Sequence, residues 1–266
     1  MIFLDKFVII CREKEKNMGD KMKRNIKKVI IFLFMLLCIF YNTVYASDSY
    51  NINFKSITID DGLSQSLAEY IYQDSLGYIW IGTNDGLNRY NGNEFKVYKN
   101  IKNNDNSISN NMISSLVEDS DKNLWIGTDG GLNKMNLLTG DITRYLVSDE
   151  DKTYSNTVVD ELLIDSKGRL WVCTINGLNL YDSENDKFIK VASEYLENKG
   201  LQDIDEDNQG NIWVSTREGL YRYNPDDGTV KEFLSDENDK NTINENNIFS
   251  IYYSEKKLWI GTNTGG

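Results

Sequence analysis

The sequence predicts an all-β fold, a β-propeller of four-stranded blades with about five repeats, and two observations support this prediction. The five tryptophans recur at separations of 45, 46, 42 and 46 residues, at Trp80, Trp125, Trp171, Trp213 and Trp259. A glycine follows each of them by six positions, at Gly86, Gly131, Gly177, Gly219 and Gly265. Short β-rich segments that repeat with a period of about 40 to 45 residues are typical of propeller blades.

Each repeat contains four predicted strands, which we name a to d. In the second repeat, strand a covers the apolar residues 113–117 and ends at Asp119, Trp125 lies on strand b, and strand d covers residues 142–145. The glycine after strand b predicts a hairpin turn into strand c. Strand b is apolar on both faces, as expected for a blade that is covered by a neighbour on each side.

One position of strand b is always small, and it is occupied by Gly82, Gly127, Cys173, Ser215 and Gly261. Close approach of a neighbouring blade explains this series better than chemistry does. We therefore interpret Cys173 as a packing residue. Without any histidine in the chain, it has no imidazole to activate it as a nucleophile.

The first 46 residues are predicted to be a signal peptide or signal anchor. A basic segment, residues 21–28, precedes an apolar run over residues 29–41, and Ala46 is the predicted cleavage site. An apolar run of this length is short for a membrane span, which needs roughly 20 residues, but an uncleaved anchor in the membrane remains an alternative. Both interpretations place residues 47–266, the predicted propeller domain, outside the cytoplasmic membrane.

Residues 54–58 are predicted to form an isolated outermost strand that closes the ring by pairing with the last blade. The last repeat ends at Gly266, before its own strand c. We therefore expect a partial ring, the amino-terminal part of a larger protein, with poor solubility because its first and last blades expose apolar faces.

The charge balance argues against nucleic acid as a binding partner. After residue 46 the chain has 20 basic and 37 acidic residues, a net charge of -17 that repels nucleic acids.

We expect no cofactor and no metal site. A calcium loop over residues 203–210 is disfavoured because its ligand spacing is wrong, and the segment is interpreted as strand a and a turn. Asp160 is interpreted as a solvated loop residue.

The candidate ligand site is the end of the propeller where the b-to-c turns and the d-to-a loops meet. Its polar side chains suit a hydroxyl-rich ligand such as an oligosaccharide or another small polar molecule. An alternative is that Asn, Asp and Gly are simply the residues that turns require. The candidate residues are Asn84, Asp85, Asn111, Asp129, Asn176, Arg217 and Glu218.

The segments LWIGTDGGLN at residues 124–133 and DSLGYIWIGTNDGLN at residues 74–88 resemble the two-component regulator propeller repeat. The resemblance implies a seven-bladed extracytoplasmic propeller that is followed by a membrane helix and a histidine kinase or diguanylate cyclase output domain. No residue of this chain matches those output domains.

Three functions follow as hypotheses. The first is a non-enzymatic, extracytoplasmic ligand sensor of a bacterial signal-transduction receptor. The second is a propeller scaffold that docks a protein partner. The third is a propeller lyase or hydrolase, which the absence of histidine disfavours.

Overall fold

The computed structural model describes residues 20–41, 54–146 and 158–264. The chain divides into two compact units, residues 1–55 and residues 56–266. The first unit contains helix α1 (Asp20–Tyr41). Across the described ranges, no helix combines the length and the apolar character that a membrane crossing requires. Ala46, the predicted cleavage site, and Gly265 lie outside the described residues, so the boundary at residue 46 stays a prediction.

The second unit consists of five consecutive antiparallel sheets, each of which is one blade. Blade 1 contains β1 (Ala68–Gln73), β2 (Ile79–Thr83), β3 (Gly86–Tyr90) and β4 (Phe95–Tyr98). Blade 2 contains β5 (Ile113–Glu118), β6 (Asn123–Thr128), β7 (Gly131–Asn136) and β8 (Ile142–Tyr145). Blade 3 contains β9 (Val159–Ile164), β10 (Leu170–Thr174), β11 (Gly177–Asp182) and β12 (Lys187–Val191).

Blade 4 contains β13 (Leu201–Glu206), β14 (Ile212–Thr216), β15 (Gly219–Tyr223) and β16 (Val230–Phe233). Blade 5 contains β17 (Ile248–Ser254) and β18 (Lys257–Thr262). A 3-10 helix (Ile59–Asp61) precedes blade 1, and a short helix α2 (Ser193–Leu196) precedes blade 4. The four-stranded blades and the position of the tryptophans on the second strand confirm the predicted fold.

Neighbouring blades contact each other mainly through their first strands, β1, β5, β9, β13 and β17, which therefore line the axis of the array. Each of the first four tryptophans packs against the next blade. Trp80, for example, is fully buried against Leu116, Leu124 and Ile126 of blade 2. Trp259 has no following blade among the described residues, and 61% of its surface is exposed.

A hydrogen bond inside each of the first four blades fixes the tryptophan ring. Trp80 Nε1 donates to Asp74 Oδ2 at 2.7 Å, and the same bond joins a Trp to the Asp six residues before it at Trp125–Asp119, Trp171–Asp165 and Trp213–Asp207. In blade 5 the equivalent turn is one residue shorter. Its two residues, Glu255 and Lys256, both have positive φ, and Ser254 stands where the aspartate would be.

The small residue of strand b is required by the next blade, which confirms the packing interpretation. A Cβ atom on Gly82 would lie 2.8 Å from Ile113 Cγ2, and one on Gly127 would lie 2.8 Å from Val159 Cγ1. Cys173 is fully buried in the apolar core between blades 3 and 4, and burial raises the pKa of its thiol. A buried, protonated thiol is a poor nucleophile.

The predicted isolated strand at residues 54–58 is wrong, because these residues form no strand. A strand exists only where a neighbour completes its backbone hydrogen bonds. The expected partner was the outer part of the last blade, and blade 5 consists of β17 and β18 alone within the described residues.

Candidate functional site

The b-to-c turns and the d-to-a loops lie at the same end of the array, which we name the loop face. Gly86 N donates to Asn111 O at 2.8 Å, Arg217 N donates to Gly200 O at 3.1 Å, and Asn263 N donates to Asn247 O at 3.2 Å. Each of these bonds joins a b-to-c turn to a d-to-a loop, which leads into strand a of the same blade or of the next blade. The turns themselves are stabilised locally, since Thr128 Oγ1 donates to Gly131 O at 2.7 Å.

The side chains of four of the seven predicted site residues bond to adjacent loops or strands, and these four are Asn84, Asp85, Asn111 and Glu218. Asn84 N donates to Gln65 Oε1 at 3.1 Å, and Asn84 Nδ2 donates to Glu69 Oε1 at 3.2 Å. Asp85 pairs with Lys99 at 2.7 Å, and both side chains are about half exposed. These contacts support the turn-forming interpretation for Asn84 and Asp85.

Three further predicted site residues also bond to neighbouring loops. Asn111 Oδ1 accepts the N–H of Asn100 at 2.7 Å, and Glu218 pairs with Lys199 at 2.7 Å. The backbone carbonyl of Asn176 accepts the N–H of Asn198 at 3.4 Å. These bonds tie each turn to the loop beside it, so the residues shape the loop face.

A β-bulge occurs in the first strand of every blade, near the loop face. In β1 the register jumps between Ala68 and Tyr70, which pair with Thr83 and Gly82, and the other four blades repeat this jump. A bulge places one extra side chain out of the regular alternation and is common beside functional sites. The bulged residues are Glu69, Ser114, Asp160, Gln202 and Phe249.

Asp160 is the bulged residue of blade 3, and its interpretation as a solvated loop residue is wrong. It lies in β9 and is partly buried, and its Oδ2 atom is buried with no hydrogen-bond partner among the residues that the structure describes. Burial raises the pKa of Asp160 to about 6, while the charge of Arg217 lowers it and the charge of Asp129 raises it.

Asp129, Asp160 and Arg217 therefore lie close enough to interact electrostatically, although they come from blades 2, 3 and 4. Two of them, Asp129 and Arg217, are predicted site residues on b-to-c turns. The carboxyl of Asp160 offers hydrogen-bond acceptors and the guanidinium of Arg217 offers donors on the loop face. We name these three residues the axial site.

A second set of polar side chains lies next to the bulged residues. They occupy the third position of the first strand in each of blades 1 to 4. Tyr70 Oη of blade 1 donates to Glu161 Oε1 of blade 3 at 3.2 Å, and Ser115 Oγ of blade 2 donates to the same oxygen. Burial raises the pKa of Glu161 to about 7, against the lowering effect of these hydrogen bonds. Asp203 of blade 4, whose pKa burial raises to about 6, adds a further negative charge.

These deeper side chains also satisfy backbone groups of the next blade. In an edge strand every second N–H points away from the sheet and needs another acceptor. Asp203 Oδ2 accepts the N–H of Ile251 at 2.8 Å, and Ser115 Oγ accepts the N–H of Leu162 at 3.0 Å. The segment around Asp203 is strand a of blade 4, as predicted, and its carboxylate has a structural acceptor role.

Sequence reasoning missed Asp160, Glu161 and the bulge. The strand pattern marks alternating faces, but a single extra residue changes which face a side chain occupies without changing the composition. The only signal in the sequence was the run of acidic residues inside otherwise apolar first strands, at Asp160–Glu161 and Asp203.

Comparison with known families agrees with the repeat. The family model described as two component regulator propeller matches residues 62–85 and 107–130, which are parts of the first two repeats. Residues 62–85 and 107–130 therefore match two-component regulator propeller repeats. The resemblance that the two sequence segments suggest is thereby confirmed.

A curated relative is a histidine kinase of Formosa agariphila, which is 47% identical over 77 residues. The match covers 29% of this chain and 5% of the kinase. This chain therefore corresponds to a small part of that protein.

Two solved structures illustrate the fold. The extracellular domain of a protein described as a hybrid two-component system of B. thetaiotaomicron has a TM-score of 0.53 at 21% identity and covers 80% of this chain and 41% of its own. A catalytically inactive virginiamycin B lyase of Staphylococcus aureus, with quinupristin, has a TM-score of 0.58 at 14% identity and covers 80% of this chain and 68% of its own. At these identities the likeness concerns the propeller fold alone.

Proposed function

We propose that this chain is the ligand-sensing propeller region of an extracytoplasmic receptor in bacterial signal transduction, with no catalytic role of its own. The axial site carries this proposal. Three blades contribute Asp129, Asp160 and Arg217 to one region of the loop face, and the carboxyl of Asp160 has an oxygen atom without a hydrogen-bond partner among the described residues.

The comparisons support the receptor context. The repeats match the two-component regulator propeller model, a relative of much greater length is a histidine kinase, and a structure of similar fold is an extracellular domain of a two-component system. The basic and apolar segment before residue 46 is of the kind that directs a domain across the cytoplasmic membrane, and an uncleaved anchor would hold it there. A signalling output domain is the partner that such a receptor requires.

The ligand class follows from the chemistry of the axial site. A raised pKa lets Asp160 donate a hydrogen bond as an acid and accept one as a carboxylate near neutral pH. Arg217 adds donors with a fixed geometry. This combination suits a neutral, hydroxyl-rich molecule such as an oligosaccharide.

Isothermal titration of the full chain tests this proposal. The probes are malto-oligosaccharides, xylo-oligosaccharides and oligogalacturonides, and the variant is Asp160→Asn. We expect at least one neutral oligosaccharide to bind and Asp160→Asn to weaken its binding about tenfold, the effect of losing one hydrogen bond to a charged group. Asp121→Asn, at an exposed carboxylate in the β5–β6 turn, is the matched control and should bind normally.

Absence of binding by all three classes, or equal affinity of Asp160→Asn and the unaltered protein, would contradict the proposal. Thermal unfolding of both variants shows whether each one retains the fold. Because Asp160 Oδ2 has no hydrogen-bond partner in the described chain, Asp160→Asn should unfold at an unchanged or higher temperature.

One observation favours a protein-docking scaffold as the second candidate. Leu67, Met112 and Ile175 are apolar side chains near the loop face, and 56%, 42% and 37% of their surfaces are exposed. Exposed apolar side chains on one face are typical of protein interfaces where they form a continuous patch. A ligand whose binding survives Asp160→Asn but is lost in the double variant Met112→Asp, Ile175→Asp would favour this candidate.

A further inference from the structure

The long d-to-a loop between blades 1 and 2, residues 99–112, has a conformation that its own side chains hold. Ser107 Oγ accepts the backbone N–H of Ile101 at 2.9 Å and donates to Asn104 O at 2.9 Å. Ile108, which follows, is fully buried in the core between the two blades. These contacts make the loop a folded part of the loop face.

Arg144, on strand β8 of blade 2, binds this loop at several points. Arg144 Nε donates to Ser107 O at 2.5 Å, and Nη2 donates to Asn104 O at 2.8 Å. Nη2 also lies 2.6 Å from Ser107 Oγ and 3.1 Å from Ile108 O. The side chain of Arg144 is only 15% exposed. A planar guanidinium with several acceptors restricts the loop, because the fork of N–H groups fits few arrangements of those acceptors.

The equivalent position of strand d differs from blade to blade. The register places Arg144 opposite Asn133 of strand c, and the residues at the same position of blades 1, 3 and 4 are Val97, Lys190 and Glu232. Lys190 forms a single ion pair, with Glu197 at 3.6 Å. The multiple contacts of Arg144 are therefore a feature of blade 2 and not of the repeat.

The end of the loop contacts the b-to-c turn of blade 2. Asp129 N donates to Met112 O at 3.3 Å. A Cβ atom on Gly130 would lie 2.8 Å from Asn110 Cβ and 3.1 Å from Ser109 O, so the turn and the loop lie against each other. A shift of the loop therefore displaces the turn that carries Asp129.

We propose that Arg144 is a positioning residue of the axial site, because it fixes loop 99–112 and, through that loop, the turn that presents Asp129. The effect of Arg144 on ligand affinity rests on the proposed function. Its effect on the loop and the turn is independent of any ligand.

Amide hydrogen exchange of the full chain without ligand tests the positioning. Arg144→Met keeps the length of the side chain and removes the guanidinium. We expect the amides of Ile101 and Asp129 to exchange at least about tenfold faster in this variant, since the groups that accept their hydrogen bonds belong to the released loop.

Two controls separate this effect from a general loss of stability. Thr242 Oγ1 accepts the N–H of Asp236 at 3.0 Å, as Ser107 Oγ does in the first loop, so residues 235–247 are a reference loop whose exchange should not change. Lys190→Met removes the same charge from the equivalent position of blade 3 and should leave loop 99–112 unchanged.

Arg144→Lys is the conservative variant. It keeps the positive charge, but an ammonium group lacks the planar fork that meets several acceptors at once. We expect exchange rates between those of the unaltered protein and Arg144→Met. If Arg144→Met fails to fold by circular dichroism, Arg144→Lys against Lys190→Met decides the result.

Titration with a neutral oligosaccharide that binds the unaltered protein tests the effect on the axial site. Arg144→Met should weaken binding about tenfold, and Lys190→Met should bind normally. In the background of Asp129→Asn, Arg144→Met should weaken binding by less than about twofold more, because both substitutions act on the same contact. A purely structural loss would lower the affinity equally in both backgrounds.

Two results would overturn the inference. One is unchanged exchange of loop 99–112 and of Asp129 in the Arg144 variants, or exchange that rises equally in the reference loop. The other is an equal effect of Arg144→Met on affinity with and without Asp129. Absence of binding by every oligosaccharide contradicts the proposed function and the effect on affinity, whereas the exchange rates still decide whether Arg144 positions the turn.

Discussion

Trp80 Nε1 donates a 2.7 Å hydrogen bond to Asp74 Oδ2 across the turn that joins the first two strands of blade 1. The bond joins a fully buried indole ring to a carboxylate that is itself buried. Asp74 Oδ1 also accepts the backbone N–H groups of Leu76 and Tyr78, at 3.0 and 2.9 Å. One carboxylate thus fixes both the turn and the orientation of the indole ring.

We predict that Asp74→Ala destabilises the propeller by about 2 to 3 kcal/mol, because it leaves a buried indole N–H and two turn N–H groups without their acceptor. The midpoint of urea unfolding measures the effect. Asp121→Ala removes an exposed carboxylate from the equivalent turn of blade 2 and should change stability by less than about 0.5 kcal/mol. Equal midpoints for the two variants would show that the Trp–Asp bond contributes no stability.

The small residue of strand b predicts that substitutions at Gly127 and Val159 have coupled effects on the free energy of unfolding. Gly127→Ala places a Cβ atom 2.8 Å from Val159 Cγ1, so we expect a loss of about 1 to 3 kcal/mol from overpacking. In the background of Val159→Ala the 2.8 Å contact is removed while Ser114 Oγ at 3.0 Å and the Cβ atom of residue 159 at 3.3 Å remain, so the cost of Gly127→Ala should fall by about 1 kcal/mol. A double-mutant cycle of unfolding free energies measures this coupling. Additive effects would contradict close approach of blades 2 and 3.

The glycine after strand b in blade 2, Gly131, can be compared with a second turn glycine, Gly140, which lies between β7 and β8. Gly131 has φ +129°, and a Cβ atom there would lie 2.8 Å from the carbonyl oxygen of Tyr145. Gly140 has φ +81° and no neighbour within 4 Å of the same atom. Both alanine variants carry backbone strain of about 1 to 2 kcal/mol, and Gly131→Ala should cost about 1 to 3 kcal/mol more. Thermal unfolding that ranks Gly140→Ala as the less stable variant would refute this.

The acidic side chains along the axis predict how stability depends on pH. Burial raises the pKa of Glu161 from 4.5 to about 7 and the pKa of Asp203 from 3.8 to about 6. The native state therefore holds protons that the unfolded state releases, so the stability from these groups is present below pH 4 and is lost as pH rises through 6 and 7. Glu118, whose pKa its bonds to Ser75 and Lys122 lower despite burial, contributes the opposite trend below pH 4.5.

We therefore expect the unfolding temperature to be higher at about pH 5 than at about pH 8. Glu161→Gln removes one titrating group while keeping an acceptor for Tyr70 and Ser115, and it should reduce this difference. Glu94→Gln, at an exposed carboxylate in the β3–β4 turn, should leave the difference unchanged. Parallel pH profiles for the unaltered protein and Glu161→Gln would contradict the assignment.

The repeat allowed most of the fold to be predicted from the sequence. The predicted strand d at residues 142–145 agrees with the observed strand β8 (Ile142–Tyr145), because the period aligns equivalent residues and each copy supports the others. The Trp–Asp bond could also have been found, since an Asp precedes Trp80 and Trp125 by six residues. The sequence places Asp119 at the end of strand a, and the structure shows that such a carboxylate both fixes the turn and orients the indole ring.

The site was less predictable for a physical reason. Asn84 and Asp85 are on the loop face as expected, but their side chains bond to Gln65, Glu69 and Lys99, and sequence alone cannot rank a turn contact against a ligand contact. The bulge determines where the side chain of Asp160 lies. A bulge depends on the register between two paired strands, which the sequence of one strand does not specify.

Amide hydrogen exchange of the full chain, with and without a neutral oligosaccharide, tests the central claim that the loop face around Asp160 binds a ligand. We predict slower exchange in the turn at residues 129–130, in strand β9 at residues 159–161 and in the turn at residues 217–218. The a-to-b turns at the opposite end, such as residues 119–122, should be unaffected. Protection that is confined to that opposite end, or absent with every oligosaccharide tested, would contradict the account.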